Sequence, residues 1–183
     1  MEPPSPYLRG VSSTLLEVGQ AHRSLSELMT AYARLARLPQ PRLQPVDIGA
    51  LMRRVAELET RIPVNIRSGT SIVVSADADQ IEQAIINLIR NAVDASLETG
   101  GGIAVSWVRQ PAHLEIQIED EGPGLSNTSN LFVPFFTTKP GGSGIGLVLS
   151  RQIAEAHGGS LSLENRADTH GCIAHLLLPL GNN

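Results

Sequence analysis

Aromatic residues are scarce in this chain of 183 residues, at 3%. Its core must therefore be aliphatic, and the 42% of hydrophobic residues are enough to build one, which excludes wholesale disorder. Cysteine is scarcer still. Cys172 stands alone, so there is no internal disulfide, and the composition fits a reducing, cytoplasmic setting. No apolar run approaches the ~18 residues a membrane span needs. The opening MEPPSPYLRG has no signal-peptide pattern, so any membrane anchor is expected outside this sequence. Basic blocks are also missing. The formal net charge is -4 and the Lys and Arg residues are dispersed, which argues against nucleic acid as the main partner.

What is present divides the chain in two. Leu8, Val11, Leu15, Val18, His22, Leu25, Met29, Tyr32 and Ala36 alternate steps of three and four, and only His22 interrupts the apolar seam. This predicts one long helix that self-associates as a coiled coil or bundle, with packing on its own domain as the alternative. Pro39, Pro41 and Pro45 forbid its continuation, so residues 1–45 form a helix and Pro-rich linker and 46–183 a second domain. There, VDIGALMRRVAELE reads as a short helix capped by Asp47. IPVNIR and SIVVS read as strands joined by a turn at Ser68–Gly69. Asp77 and Gln80 form a capping box for a helix whose buried face is Ile81, Ile85, Leu88, Ala92 and Ala95. GIAVSWVR and HLEIQIED alternate as an antiparallel hairpin. A last helix runs from about Gly144 to His157 and ends on Gly158 and Gly159, and SLSLEN and CIAHLLLP close a mixed sheet. The order predicts an α+β fold, a two-layer α/β sandwich with helices on one face of the sheet.

Three stretches can carry chemistry. Asn87, Asn91 and Asp94 fall at i, i+4 and i+7, with Arg90 alongside, on one helical face. Paired amides on a largely buried helix are costly unless used, either by structural hydrogen bonds or by a ligand. An amide oxygen suits Mg²⁺ when phosphates supply the remaining charge. In EDEGPGL, Asp120 ends a strand beside Gly122 and Gly124. It is either an ordinary turn or a carboxylate that accepts a hydrogen bond from a planar donor such as an adenine amino group. In PFFTTKPGGSGIGL, glycines run into a helix, where free N–H groups and the helix dipole favour an anion. The G-x-G-x-G spacing of Gly142, Gly144 and Gly146 is neither a Walker A loop nor a Rossmann fingerprint.

In their order, these stretches resemble the GHKL superfamily of ATP-binding domains, which includes sensor histidine kinases, gyrase, the Hsp90 chaperones and MutL. The resemblance is greatest to nitrogen-regulator-type histidine kinases of two-component systems. NLIRNAVDA resembles their N box, DEGPGL the G1 box, LFVPFFTTK the F box and GGSGIGL the G2 box, and AHGGSLSLEN and HGCIAHLLLP resemble their closing strands. The similarity covers about Val46 to Pro179. It implies a Bergerat-type fold that binds ATP and Mg²⁺. By the resemblance, Asn91 holds Mg²⁺, Asn87 and Asp94 support the phosphate site, and Asp120 takes the adenine amino group beside Gly122 and Gly124. Gly142, Gly144, Ile145, Gly146 and Leu147, with Thr138 and Lys139, form a lid over the triphosphate. PFF is expected to anchor this lid on apolar surface, and TTKPGGSG to be mobile until phosphate orders it. His157 is expected to be structural.

ATP-hydrolysing members of the superfamily carry a glutamate one turn before the metal-binding asparagine. Asn87 stands there, which favours phosphoryl transfer to a residue over hydrolysis. The family's acceptor histidine, followed directly by an acidic residue, has no counterpart. His22 precedes Arg23 on the heptad seam, and the first helix resembles the second helix of a dimerisation hairpin. The resemblance thus implies a kinase fragment that lacks the acceptor, acts as a homodimer and serves a response regulator. An anti-sigma-type serine kinase and a non-catalytic nucleotide-binding module are the alternatives.

Overall fold

The computed structural model describes residues 38–180, apart from Gly69, Asn127, Pro140, Gly141, Asp168 and the side chain of Ser68. The long helix expected from Leu8 to Ala36, His22 and their role in self-association lie outside the described residues.

Strand β1 (Gln44–Asp47) leads straight into helix α1 (Ile48–Leu58). Asp47 starts the helix as expected. Its carboxylate accepts the Ala50 N–H at 3.1 Å and the Ser71 hydroxyl at 2.9 Å. Ile48, Leu51, Met52 and Val55 follow at helical spacing and bury one face. Strands β2 (Val64–Ser68) and β3 (Val73–Ala76) come next, then helix α2 (Ala78–Thr99), whose 22 residues span about 33 Å. Strands β4 (Ile103–Arg109) and β5 (His113–Asp120) form the expected hairpin, in register from Ile103 opposite Asp120 to Arg109 opposite Leu114. Helix α3 (Gly146–Ala156) precedes β6 (Ser160–Asn165) and β7 (Cys172–Pro179).

The main sheet has the order β2-β4-β5-β7-β6. Only β2 and β4 run parallel, because α2 crosses between them. Alternation along β5 sends Leu114, Ile116, Ile118 and Asp120 to the helix side. There the strands meet Ile81, Ile85, Leu88 and Ile89 of α2 and Ile153 of α3 in one core. Among the described residues, Trp107 is the one aromatic side chain buried in it, and its indole N–H donates to the Thr70 carbonyl at 2.8 Å. The α+β, two-layer expectation holds.

Two local features differ from the sequence reading. β2 and β3, read as strands joined by a turn, belong to different sheets. β3 pairs antiparallel with β1 in a separate two-stranded sheet, and the loop between β2 and β3 is pinned by Trp107 and by the Ile48 N–H on the Ile72 carbonyl. The capping box is only half formed. Asp77 accepts the Gln80 N–H at 3.1 Å, but the Gln80 amide donates instead to the Pro39 carbonyl at 2.9 Å. The Asp77 N–H that Gln80 would have satisfied goes to His157 Nε2 at 3.0 Å. The Pro-rich stretch is thereby fastened to the head of α2, where the Arg42 N–H also donates to Asp77.

Candidate functional site

One face of α2 organises the site. Asn87 is half-buried, with Oδ1 accepting from Gln83 Nε2 at 3.1 Å and Nδ2 donating to the Gly146 carbonyl at 3.4 Å. It joins α2 to the first turn of α3. The Ser150 hydroxyl closes this contact by donating to the same carbonyl at 2.9 Å. Asn91, one turn on, has Oδ1 3.4 Å from the ammonium of Lys139. The same ammonium lies 3.0 Å from Asp94 Oδ2. Burial opposes ionisation of Asp94, but hydrogen bonds from Lys139 and Arg61 hold its carboxyl below the ordinary range. Arg90, by contrast, is exposed and lines a groove between α1 and α2 with Val55 and Ile86.

Helix α3 begins without a side-chain cap, because its N-cap residue is Ile145. Its first-turn N–H groups and positive dipole end therefore lie beside Asn87. The Ile145 side chain is buried in the core and that of Leu147 is partly buried against it. Gly144 has φ +65°, and a Cβ there would lie 2.6 Å from the Phe135 carbonyl carbon, so the lid turn requires glycine. Gly142 and Thr138 are exposed on the lid.

The ring that packs on the core is not one of the expected PFF rings. Phe135 and Phe136 are 41% and 48% exposed, and Phe135 itself adopts φ +65°. The seated ring is Phe132, which packs on the core with the Arg151 guanidinium 4.9 Å from its centroid.

Asp120 is 6% exposed at the end of β5. Its Oδ1 accepts two backbone N–H groups, from Gly122 at 2.9 Å and Cys172 at 3.1 Å. Burial raises its pKa, opposed by those two hydrogen bonds and by the charges of Arg166 and Lys139. Gly122 is needed for packing: a Cβ would sit 2.6 Å from that of Ala95 on α2. Gly124 follows with φ +80°. Asn165 holds this loop with both amide atoms, accepting the Leu125 N–H at 2.6 Å and donating to the Leu125 carbonyl at 3.1 Å.

The fold thus brings Asn87, Asn91, Asp94, Lys139 and Gly146 together, with Asp120 close enough to feel Lys139. Thr138, the residue before Lys139, is exposed. Sequence reasoning missed Asn165, Arg166 and Arg61, which lie in or beside loops and carry no periodic signal. It did identify His157 as structural. The buried ring donates from Nδ1 to the Ile153 carbonyl at 2.7 Å and accepts the Asp77 N–H on Nε2, tying the end of α3 to the start of α2.

A two-layer sandwich with an uncapped helix start, an amide pair and a buried aspartate on its helix side is a nucleotide-binding architecture. The chain belongs to the family described as histidine kinase-, DNA gyrase B-, and HSP90-like ATPase, whose model matches residues 76–182. Its relatives include the sensor protein ChvG of Agrobacterium fabrum, 33% identical over 179 residues, 86% of this chain and 30% of that protein. The C4-dicarboxylate transport sensor protein DctS of Rhodobacter capsulatus is 31% identical over 97% of this chain and 29% of its own length. The chain therefore spans about a third of the curated relatives it matches. The mycobacterial sensor histidine kinase MprB superposes with a TM-score of 0.64 at 30% identity, over 75% of this chain and 97% of that one. Full-length ShkA in complex with AMPPNP gives 0.72 at 25% identity, over 100% of this chain and 41% of that one. No helix among the described residues is long and apolar enough to cross a membrane.

Proposed function

We propose that this chain is the ATP-binding catalytic region of a sensor histidine kinase. It transfers the γ-phosphoryl group of ATP to a histidine on a dimerisation hairpin, for relay to a response-regulator receiver domain on the cytoplasmic side. One observation carries the reading. The Asn91 amide oxygen, the Lys139 ammonium and the uncapped start of α3 converge on one face of α2. Neutral oxygen, mobile cation and free N–H groups are the complement of a metal–triphosphate. AMPPNP, the ligand of ShkA, is of that chemical type.

The donor set fits Mg²⁺ as a companion of phosphate. Asn91 Oδ1 and Asp94 Oδ2 already face a cation, the Lys139 ammonium. Among the described residues no cluster of three or more His, Cys, Asp or Glu side chains could hold a metal, so phosphate oxygens and water must complete the shell. Asn91 would hold the ion, which supplies neutralisation of phosphate charge. Asp120 receives the adenine amino group, and its burial makes that recognition selective. The lid glycines bring backbone N–H groups to the phosphates, and Lys139 moves from Asp94 to them. In this reading the segment before residue 38 supplies the homodimer contact.

The test combines the purified chain, labelled ATP and a separately made two-helix hairpin carrying an acceptor histidine. Acid-labile phosphate should appear on the hairpin and not on the chain alone. Acid-stable phosphoserine on a partner would point instead to a serine kinase. ATP binding without any transfer would reduce the chain to a regulatory module.

A further inference from the structure

Arg61, in the loop after α1, belongs to no motif, yet it is tied to the phosphate side of the site. Its Nε and Nη2 clamp the two oxygens of Glu59 at 3.0 and 2.8 Å, and its own N–H donates to Glu59 at 2.8 Å. The Glu59 side chain is only 8% exposed, so the clamp is anchored. The remaining nitrogen, Nη1, reaches Asp94 Oδ1 at 2.8 Å. Asp94 thus carries a fixed guanidinium on one oxygen and the lid ammonium of Lys139 on the other.

We propose that Arg61 is a positioning residue for the nucleotide phosphates, acting through Asp94. This deepens the ATP-binding reading above and rests on it. Glu59, Arg61, Asp94 and Lys139 together sum to zero charge. When Lys139 turns to a phosphate, Asp94 stays neutralised only because Arg61 remains. Without Arg61, the carboxylate either keeps Lys139 for itself or stands bare beside the polyphosphate. Both consequences weaken phosphate binding, and neither touches the adenine end of the site. Arg61 is 43% exposed, so the ion pair adds little to stability and acts mainly on the local field. The planar fork matters as well as the charge, because a lysine cannot hold Glu59 on two nitrogens and Asp94 on a third.

Calorimetric titration of the full chain with ATP and with adenosine, at fixed Mg²⁺, tests this. Arg61→Gln should weaken ATP about tenfold, the effect of about one uncompensated charge near the phosphates, and leave adenosine unchanged. Arg61→Lys should fall between. In an Asp94→Asn background the same Arg61→Gln change should cost less than about twofold, because the charge it covered is gone. Equal losses for ATP and adenosine, or an undiminished loss in the Asp94→Asn background, would overturn the proposal while leaving the ATP-binding reading intact. Failure of the unaltered chain to bind either ligand would overturn both.

Discussion

Replacing Asp120 separates what its carboxylate does for the fold from what it does for the ligand. In Asp120→Ala, the buried N–H groups of Gly122 and Cys172 lose their common acceptor. Each orphaned donor costs about 1–3 kcal/mol, so the domain should lose about 2–6 kcal/mol. Asp120→Asn keeps a carbonyl oxygen of the same shape for both donors and should change stability by no more than about 1 kcal/mol. It also replaces the second oxygen with an NH₂ group. If that oxygen meets the adenine amino group, an acceptor becomes a donor facing a donor, at a cost of about 2–3 kcal/mol, or about 30- to 150-fold in ATP affinity. The assay is titration with ATP and GTP, with thermal unfolding run in parallel. Asp120→Asn should remain folded, bind ATP weakly and lose its preference over GTP. A folded Asp120→Asn protein with unchanged ATP affinity and preference would refute the adenine role. The pH dependence has a definite sign. Burial raises the Asp120 pKa above its ordinary 3.8, so the ionised carboxylate costs stability and that cost is relieved as pH falls through the folded value. The stability difference between the unaltered chain and Asp120→Asn should therefore move in favour of the unaltered chain between pH 7 and about 4.

Asn91→Ala should weaken Mg²⁺-dependent ATP binding more than binding in EDTA, and equal losses would count against a metal role. His157→Ala removes the bridge between the end of α3 and the first N–H of α2, and should lower stability by about 2–4 kcal/mol, seen as a drop in Tm of about 10 °C. Unchanged Tm would mean that water replaces the ring. The Cys172 thiol is pushed up to about 12, mainly by burial and further by Asp120. Iodoacetamide at pH 8 should therefore spare the native chain and modify it fully in urea, whereas rapid alkylation of the native state would contradict the buried placement.

Periodicity made most of the fold legible. The α2 face, the β4–β5 hairpin and the closing strands were readable because each buries one side and so repeats at 3.6 or 2 residues. The partner of β3 was not readable, because a four-residue strand carries no mark of which edge it joins. The buried Trp107 indole is fastened to Thr70 in the loop between β2 and β3, and β3 pairs with β1. The candidate site divided in the same way. Asn87, Asn91 and Asp94 announced themselves by sharing a helical face. Arg61 and Asn165 act across 33 and 40 residues of sequence, and only the folded chain brings them to Asp94 and Leu125. The aromatic anchor was misplaced from PFF to its neighbour because composition identifies an apolar run but not which ring meets the core.

The choice between hydrolysis and transfer turns on what could deprotonate water beside a bound γ-phosphate. On the site face of α2 the position one turn before Asn91 is an amide, and it is already engaged: Asn87 Oδ1 faces Gln83 and Nδ2 faces Gly146. An amide does not take a proton near neutral pH, and this one is not free to orient water either. The carboxylate on the same face is Asp94. It is a poor base, because Lys139 and Arg61 lower its pKa and occupy both of its oxygens. A base must bring its own lone pair to the nucleophile, and every cation added to Asp94 makes that harder. The same cations favour the other outcome, since phosphoryl transfer to an imidazole depends chiefly on holding the triphosphate in line and spreading its charge. The chain's own groups therefore support positioning rather than proton abstraction, and in the proposed reaction the attacking nucleophile is the acceptor's imidazole. ATP hydrolysis by the isolated chain should accordingly stay slow even at saturating Mg²⁺–ATP. An Asn87→Glu variant is the informative comparison. If it gains hydrolysis while unaltered protein shows none, the missing base was the barrier. Rapid turnover of the unaltered chain would defeat the argument.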